Sequence, residues 1–231
     1  MNQSYQMKQF IKKILHKPII AKKITRLLVK IHHLSYSYIG SFASAAEGGL
    51  HPKHRLINYH QFFVDHISKG ETVLDVGCGN GSLLRDVAMK TNAIAVGVDI
   101  SKDNVKSAKT RLSDLPNVCI MHSDIRDYKD NIHFDTIILS NVLEHMDKRT
   151  ELLMYLRKQF QPKQVLIRVP MFEREWLVPY KKELGIEWRL DPTHKIEYTE
   201  KEFRNEISKA ELHIQEIIFR WGEMYTVAVS S

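Results

Sequence analysis

The residues best placed to do chemistry lie in one short segment, VLDVGCGNGSLL at positions 73–84. An apolar run carries a single acid, Asp75, and three glycines then follow at alternate positions, Gly77, Gly79 and Gly81. An apolar run that ends in glycine predicts a buried strand. Glycines at this density predict a backbone that turns sharply and lets a ligand approach closely. The segment therefore predicts a ligand-binding loop, with a glycine-rich turn of some other α/β protein as the alternative.

The spacing of these glycines separates two classes of ligand. A dinucleotide-binding loop needs Gly-x-Gly-x-x-Gly, but Ser82 occupies the last position here and the third glycine comes one residue earlier. Asp75 would repel a pyrophosphate, whereas a ligand with an amino group and a sulfonium would tolerate or use a carboxylate. Residues 82–90 read as a helix, whose N-terminal N–H groups favour anions. In its form acid-x-Gly-x-Gly-x-Gly, the loop resembles the first motif of the class I S-adenosylmethionine-dependent methyltransferases.

A second strand end extends this resemblance. The apolar run 93–98 ends at Asp99, which lies 24 residues after Asp75. A doubly wound fold places the acid that accepts both ribose hydroxyls at about this distance. An ordinary strand-end or helix-capping aspartate is the alternative, because good cap residues follow it.

The third and fourth strand ends agree with the same family. A strand predicted over 118–121 leads to Asp124 and Ile125, and the resemblance implies that these residues bind the adenine amino group and flank its ring. A strand predicted over 134–139 leads to SNVLEH at 140–145. That segment is similar to the one beside the methyl donor in the small-molecule branch of the family.

The resemblance covers about residues 54–231 and implies a complete donor site. Arg55, in a helix predicted over 53–66, is the candidate for the donor carboxylate, with a solvated arginine as the alternative. Cys78 is interpreted as a packing residue rather than a nucleophile. The residues implied to bind S-adenosylmethionine are Arg55, Asp75, Gly77, Cys78, Gly79, Gly81, Asp99, Ile100, Asp124, Ile125, Asn141 and Val142.

The C-terminal residues complete the expected fold. The apolar runs 214–219 and 224–229 are joined by only four residues, RWGE, and so short a link permits only an antiparallel pair. By resemblance we expect an α/β fold with a doubly wound, mostly parallel seven-stranded sheet. An antiparallel C-terminal hairpin strand closes this sheet, and an N-terminal helical extension precedes it.

Length and composition limit the number of domains and the cellular compartment that the sequence suits. The 231 residues, 43% of them hydrophobic, suit one domain with an extension, and we divide the chain into an extension at 1–52 and a methyltransferase domain at 53–231. The two cysteines are too few for a disulfide framework, which favours a reducing, cytoplasmic compartment. No run approaches the roughly 20 apolar residues of a spanning helix, and we expect no signal peptide.

The N-terminal extension is basic and amphipathic. Residues 1–60 hold ten Lys or Arg and one acid, whereas the remainder holds 24 basic and 26 acidic residues, so the pI near 9.3 arises in the extension. Apolar residues line one face of a helix predicted over 20–34, a shorter stripe precedes Pro18, and 35–52 reads as a loop. The first stripe is Ile20, Ile24, Leu27, Leu28, Ile31 and Leu34, and the second is Phe10, Ile11, Ile14 and Leu15.

Two interpretations of the extension are open. Its helices either pack on the domain, or residues 8–34 bind anionic lipid peripherally at the inner membrane face. Nucleic acid is disfavoured because no aromatic residues alternate with the basic ones, and a homo-oligomer stays open.

The segment 170–199, between the fifth strand and the last helix, is expected to build the acceptor pocket. So long a loop in a compact domain is usually functional, and an aromatic wall with a few polar groups suits a small organic acceptor. His194 is the first candidate for a base or an acceptor-positioning group, with a histidine that merely bonds to the backbone as the alternative. Glu144 and His145 are the second candidates. The aromatic residues of the segment include Phe172, Trp176, Tyr180 and Trp188.

Metal-ligand spacing is weak in this sequence. His51 and His54 are not accompanied in the sequence by further residues at metal-ligand spacing, so we expect no metal site. Some sugar O-methyltransferases recruit magnesium through acids near the donor, which leaves Glu144 or Asp191 open for such a role.

The sequence therefore predicts an S-adenosylmethionine-dependent methyltransferase, with S-adenosylhomocysteine as its product. The acceptor is expected to be small or lipid-linked, and O-methylation of a sugar or glycan-pathway hydroxyl is favoured by resemblance. Another small metabolite or a lipid is the alternative acceptor. A nicotinamide-dependent oxidoreductase and a non-catalytic S-adenosylmethionine-binding module are the rivals from other classes.

Overall fold

A computed structural model gives the fold and describes residues 6–8, 13, 15–48, 51–129 and 132–230. The chain divides into two compact units. The first consists of Met1–Pro52 with Trp176–Trp188, and the second of Lys53–Glu175 with Arg189–Ser231. Our division after residue 52 did not separate Trp176–Trp188 from the rest of the C-terminal domain.

The second unit is built on a seven-stranded sheet with the order β3-β2-β1-β4-β5-β7-β6. Strands β1 to β5 pair in parallel, and β7 runs antiparallel to both β5 and β6. This arrangement confirms the predicted doubly wound sheet with its antiparallel C-terminal hairpin. The strands are β1 Thr72–Val76, β2 Ile94–Asp99, β3 Val118–His122, β4 Thr136–Ser140, β5 Gln164–Pro170, β6 Leu212–Arg220 and β7 Glu223–Ser230.

The central strands are mainly apolar because both faces of the sheet are covered. Leu74 and Ile137 pack in one hydrophobic core, and their neighbours Val73 and Ile138 pack in another. All four side chains are fully buried. A parallel sheet with helices on both faces requires such continuous apolar runs instead of alternation, which is why these strands are easy to find in the sequence.

The helices of the second unit flank this sheet in the chain order expected of crossovers. The single helix predicted over 53–66 is wrong, because Asn58 adopts a left-handed conformation with φ 42° and divides it in two. The last helix begins after Thr199, whose hydroxyl and Glu202 form a capping box. The helices are α2 Lys53–Ile57, α3 His60–Asp65, α4 Ser82–Thr91, α5 Lys102–Arg111, α6 Arg149–Phe160 and α8 Glu200–Lys209, with a 3-10 turn at Leu143–His145.

Among its described residues, the first unit contains the long helix α1 Pro18–Ala46 and the short helix α7 Leu177–Glu183. Val29 of α1 packs with Leu184 and Ile186 in a small hydrophobic core. Two sequence predictions fail here, because 35–52 is helical as far as Ala46 and the 170–199 loop contains α7. The stripe residues Phe10, Ile11 and Ile14 lie outside the described residues. None of the described helices is long and apolar enough to cross a membrane.

Candidate functional site

The glycine loop after β1 gives each glycine a different role. Gly77 has φ 69°, and a Cβ there would lie 2.8 Å from Cγ2 of Val142. Gly79 has φ 55°, and a Cβ there would project into open space. Gly81 has φ 75° at the start of α4, and a Cβ there would lie 2.7 Å from Leu112. Gly77 and Gly79 therefore shape the binding surface, whereas Gly81 permits close packing of helices.

An apolar pocket of about 120 Å³ opens beside this loop, at the carboxyl ends of β1, β2 and β3. Ligands of open α/β sheets bind at such strand ends. The pocket brings together half of the residues predicted to bind the donor. These are Gly77, Asp99, Ile100, Asp124, Ile125 and Val142.

Two carboxylates of this pocket are held in place by hydrogen bonds. Asp99 accepts the Gly79 N–H at 2.8 Å on one oxygen and the Ser101 N–H at 2.8 Å on the other. Asp124 accepts a hydrogen bond of 2.6 Å from the Arg126 guanidinium, which lowers the pKa of that carboxyl. Both acids therefore offer fixed acceptor oxygens to the hydroxyl or amino groups of a ligand.

A larger polar cleft of about 380 Å³ begins on the other side of Gly77, which lines both cavities. Asp75, Cys78, Gly79, Asn141, Glu144 and His194 line it, as the sequence predicted, together with Asp191. Lys53, Tyr59, Arg168 and Glu223 also line it, and sequence reasoning missed these four. The cleft lies beyond the ends of β1, β4 and β5, where the start of the antiparallel β7 also reaches.

Asp75 is the most perturbed acid of the cleft. It is 2% exposed and its Oδ2 has no hydrogen-bond partner in the described structure. Burial, and then the negative charge of Asp99, raises the pKa of Asp75 to about 8. The carboxyl is therefore neutral near pH 7 until a cation approaches it.

Arg168 joins the strand ends of the cleft into one network. It is a charged residue inside the apolar strand β5, 4% exposed, and its guanidinium stacks 3.9 Å from the centre of the Tyr59 ring. Its Nε donates to Asn141 Oδ1 at 2.7 Å, and the Asn141 amide donates in turn to Glu144 Oε1 at 2.7 Å. Burial raises the pKa of Glu144 to about 7.

His194 and His145 meet beside Glu144. Their ring centres are 4.7 Å apart and nearly perpendicular. Nδ1 of His194 lies 3.0 Å from the carboxylate of buried Glu197, and Nδ1 of His145 lies 3.0 Å from Oγ1 of Thr193. Burial, and then His194, lowers the pKa of His145. The three residues predicted to act on the acceptor thus lie together, although His194 is 49 positions away from His145 in the chain.

Two sequence-based assignments look different in the structure, whereas Cys78 packs as the sequence analysis interpreted it. Arg55 is exposed and is not among the residues that line the cleft, where Lys53 lies instead. Cys78 is buried and its Sγ packs against Gly97, and burial raises the pKa of the thiol. Phe172 of the predicted aromatic wall is not among the residues that line the cleft, whose surface is mostly polar, and Trp176, Tyr180 and Trp188 belong to the first unit. An arginine within the apolar run of residues 165–170 was a sequence signal for Arg168 alone among the four missed residues.

The comparisons with known proteins agree with this geometry. A family model described as "Methyltransferase domain" matches residues 67–218. (S)-Coclaurine N-methyltransferase from Thalictrum flavum subsp. glaucum is 31% identical over 130 residues, which cover 49% of this chain and 36% of that protein. Cyclopropane-fatty-acyl-phospholipid synthase from Escherichia coli strain K12 is 38% identical over 80 residues, which cover 35% of this chain and 20% of that protein.

A solved structure shows the same fold. Magnesium protoporphyrin IX methyltransferase from Synechocystis PCC 6803, crystallised with bound SAH, superposes with a TM-score of 0.61 at 19% identity. The superposition covers 78% of this chain and 83% of that one. The curated relatives are longer proteins, of which this chain spans about a third or less. Since the family model covers well over half of the sequence, the chain belongs to the family of methyltransferase domains.

Proposed function

We propose that this protein transfers a methyl group from S-adenosylmethionine to a hydroxyl of a small or lipid-linked acceptor. One observation carries the proposal. An apolar pocket with two fixed carboxylates and a polar cleft with a Glu-His-His cluster meet at the same residue, Gly77. A donor bound across Gly77 would have its nucleoside in the pocket and its reactive end in the cleft.

The residues of the pocket fit the donor chemically. Asp99 would accept the ribose hydroxyls, Asp124 the adenine amino group, and Ile125 would contact the ring. Gly79 leaves the space that a side chain would fill. Asp75 would face the positive charge of the donor. S-adenosylmethionine, when bound, supplies a methyl group on a sulfonium. The neutral thioether that remains after transfer is a good leaving group.

The residues of the cleft fit the acceptor. Most of the rate gain in such a displacement comes from holding the attacking atom in line with the methyl carbon and sulfur. The new oxygen–carbon bond forms as the carbon–sulfur bond breaks, sulfur keeps the electron pair, and the hydroxyl proton leaves to solvent. Glu144 and His194 line the cleft, and one possible ligand atom of each lies within 4.8 Å of one from His145. We assign these three side chains to contact with the acceptor oxygen. A sugar or glycan hydroxyl suits the carboxylates and cations of this lining.

Thermal unfolding with candidate donors tests the cofactor. S-adenosylmethionine or S-adenosylhomocysteine at 100 times its Kd is expected to stabilise the protein by about 2.7 kcal/mol, and NADH and NADPH are expected to have no effect. Asp99→Ala is expected to weaken donor binding by about 1–3 kcal/mol, because it removes an acceptor for the ribose hydroxyls. The exposed Asp127→Ala is the matched control. Stabilisation by the nicotinamides alone would make the chain an oxidoreductase instead.

Acceptor screening separates the enzyme from a binding module. Sugar, glycolipid, fatty-acyl and amine acceptors are offered with labelled donor, and His194→Ala is expected to lower turnover while leaving donor affinity unchanged. A fall in donor affinity of the same size would move His194 into the donor site. Turnover of amines alone would replace oxygen by nitrogen as the methylated atom, in line with the N-methyltransferase relative.

We also propose that α1 holds the protein on an anionic membrane surface at the cytoplasmic face. Apolar residues line one side of this helix from Leu27 to Phe42 and are solvent-exposed. Lys22, Lys23, Arg26 and Lys30 are exposed on the same helix, and a basic amphipathic helix of this kind binds in the interface of anionic lipid. The exposed apolar residues are Leu27 58%, Leu28 58%, Ile31 54%, Leu34 58%, Tyr38 56% and Phe42 71%.

Vesicle flotation tests the membrane proposal. The full chain is expected to bind phosphatidylglycerol vesicles and not phosphatidylcholine vesicles. Ile31→Asp should abolish binding, and Lys23→Glu should weaken it at least about fivefold, since each cation near the surface contributes about 1 kcal/mol. Met89→Asp, at an exposed apolar residue of α4, is the control. Dimerisation that Ile31→Asp disrupts, without vesicle binding, would assign the stripe to a second copy of the chain.

A further inference from the structure

We propose that Glu144, His145 and His194 bind a divalent transition-metal ion, zinc in the first instance, at the acceptor side of the polar cleft. The position of the ion follows from the geometry of these side chains alone. Its role, to hold the acceptor oxygen, rests on the proposed function.

The three side chains converge from two parts of the chain. Glu144 and His145 lie in the turn after β4, and the N–H of Lys195 donates to the Glu144 carbonyl oxygen at 2.7 Å, which brings His194 to them. One possible ligand atom from each side chain lies within 4.8 Å of the other two. Ligands bound about 2.0–2.2 Å from one zinc ion lie at most about 4.4 Å apart. Small side-chain rotations therefore suffice to place all three on one ion.

Hydrogen bonds fix the tautomer of His194. Its Nδ1 lies 3.0 Å from Oε1 of Glu197, and because an ionised carboxylate can only accept, Nδ1 carries the proton. The lone pair is therefore on Nε2, the atom that binds a metal.

Thr193 fixes the same tautomer for His145, with the proton on Nδ1. The Thr193 hydroxyl donates to Asp191 Oδ1 at 2.7 Å, so its oxygen must accept from His145 Nδ1, 3.0 Å away. The Nε2 lone pair of this ring is then available as well. Two neighbouring histidines thus offer metal-binding nitrogens through separate hydrogen-bonded supports.

Glu144 supplies the third ligand. It is fully buried, its Oε1 accepts from Asn141, and its Oε2 has no hydrogen-bond partner among the described residues. A buried carboxylate oxygen without a partner is rare and unfavourable. A bound cation would supply the missing partner.

The carboxylate that orients His194 is itself held in place by further hydrogen bonds. Glu197 is 3% exposed, and it also accepts hydrogen bonds from the Arg174 guanidinium and the Leu190 N–H. Metal-binding histidines characteristically donate their second N–H to such an anchored carboxylate, which orients the ring and increases its basicity.

The donor set selects the type of ion. Two imidazoles and one carboxylate suit zinc and similar transition metals, whereas magnesium prefers oxygen ligands. Three protein ligands leave a coordination position open, as in catalytic zinc sites. Glu144 and His194 line the polar cleft, so the open position would face the acceptor and act on its oxygen as a Lewis acid.

Calorimetry on the full chain, stripped with a chelator, tests the site with zinc, cobalt and magnesium ions. We expect one zinc or cobalt ion per chain, magnesium bound at least 100-fold more weakly, and a cobalt absorption spectrum with histidine ligands. His145→Ala and His194→Ala are each expected to weaken zinc binding at least 100-fold. Glu197→Gln is expected to weaken it about 10–100-fold as a positioning change. His213→Ala, at an exposed histidine of β6, is the control.

Donor binding is measured on the same variants, so that the two proposals fail separately. Because His145 is exposed, His145→Ala is expected to fold and to bind S-adenosylmethionine normally. Normal donor binding without zinc or cobalt binding, or zinc binding that survives both histidine substitutions, would overturn the metal site and leave the proposed function intact. Zinc binding without donor binding would support the site and overturn the proposed function.

Discussion

Replacing Gly77 by alanine is expected to abolish binding of S-adenosylmethionine. The residue has φ 69°, and a Cβ there would lie 2.8 Å from Cγ2 of Val142, which is far inside van der Waals contact. Val142 lines the apolar pocket, so relief of the clash must displace the wall that the donor contacts. We expect donor affinity to fall at least 100-fold by calorimetry. The positive φ and the overlap should together lower the free energy of unfolding by about 1–3 kcal/mol.

Two further glycines separate the causes of this effect. Gly70→Ala has the same backbone strain, with φ 80°, but its Cβ would meet no atom within 4 Å. It is therefore expected to lose stability and keep donor affinity. Gly79→Ala adds no clash either, but its Cβ would enter the cleft, so donor affinity should fall without a packing defect. Donor binding by Gly77→Ala as tight as that of Gly70→Ala would contradict the assignment of the loop to the donor.

Asp75→Asn is expected to make the unliganded protein more stable above pH 4 while weakening donor binding. The pKa of Asp75 is about 8 in the folded protein against 3.8 for an ordinary aspartate, so the folded state holds an extra proton between these pH values. The stability due to this neutral acid is complete below pH 4 and is lost as pH rises through about 8. Asparagine stays neutral, so its advantage should grow across this window to about 2–5 kcal/mol at pH 8.

The negative charge of the ionised Asp75 carboxylate explains the expected loss of donor affinity in Asp75→Asn. A sulfonium near Asp75 favours the carboxylate, so binding below pH 8 should release a proton and strengthen as pH rises. Asp75→Asn removes the carboxylate, and we expect affinity to fall about tenfold or more at pH 8, which is about 1.4 kcal/mol. Thermal unfolding from pH 5 to 9, and calorimetry in two buffers, measure both effects, with Asp127→Asn as control. Equal donor affinity in Asp75→Asn would show that this acid does not face the cation.

The central strands could be predicted from sequence because burial on both faces makes them mainly apolar, with Asp75 and Arg168 among the charged exceptions. The predicted run 93–98 became β2 at Ile94–Asp99, and the strand predicted over 134–139 became β4 at Thr136–Ser140. The link between the last two strands, four residues as predicted and two in the structure, sufficed to predict an antiparallel pair, since no crossover fits into it. The methyltransferase assignment, which rested on motifs at the ends of these strands, is confirmed by the family match.

The helices were less predictable because a polar side chain can either form hydrogen bonds within a helix or end it. Serines at 35–52 suggested a loop. The hydroxyls of Ser35 and Ser37, however, donate to backbone carbonyls three residues earlier, so their hydrogen bonds form within α1. Asn58 has the opposite effect and breaks a helix by taking a left-handed conformation. Residue type alone does not distinguish these outcomes.

The acceptor side of the site was predictable only in part. Glu144 and His145 follow a strand and His194 lies in a long loop, which marked them as candidates. Arg168, Lys53 and Glu223 come from separate elements, and only the sheet order brings them to one cleft. The cluster that we propose as a metal site could not be recognised from sequence spacing for the same reason, because His145 and His194 are 49 positions apart in the chain.

The order of the strands has a consequence for synthesis on the ribosome. β7 is made after β6, yet it lies between β5 and β6 in the sheet. Until residues 223–230 have left the ribosome, β5 keeps an unpaired edge and β6 has no place to dock. Such an edge can pair with other chains, so the nascent protein is most prone to aggregate just before its last strand emerges. Glu223, the first residue of that strand, completes the cleft in the same event, so the polypeptide acquires its acceptor side only when its exposed edge disappears.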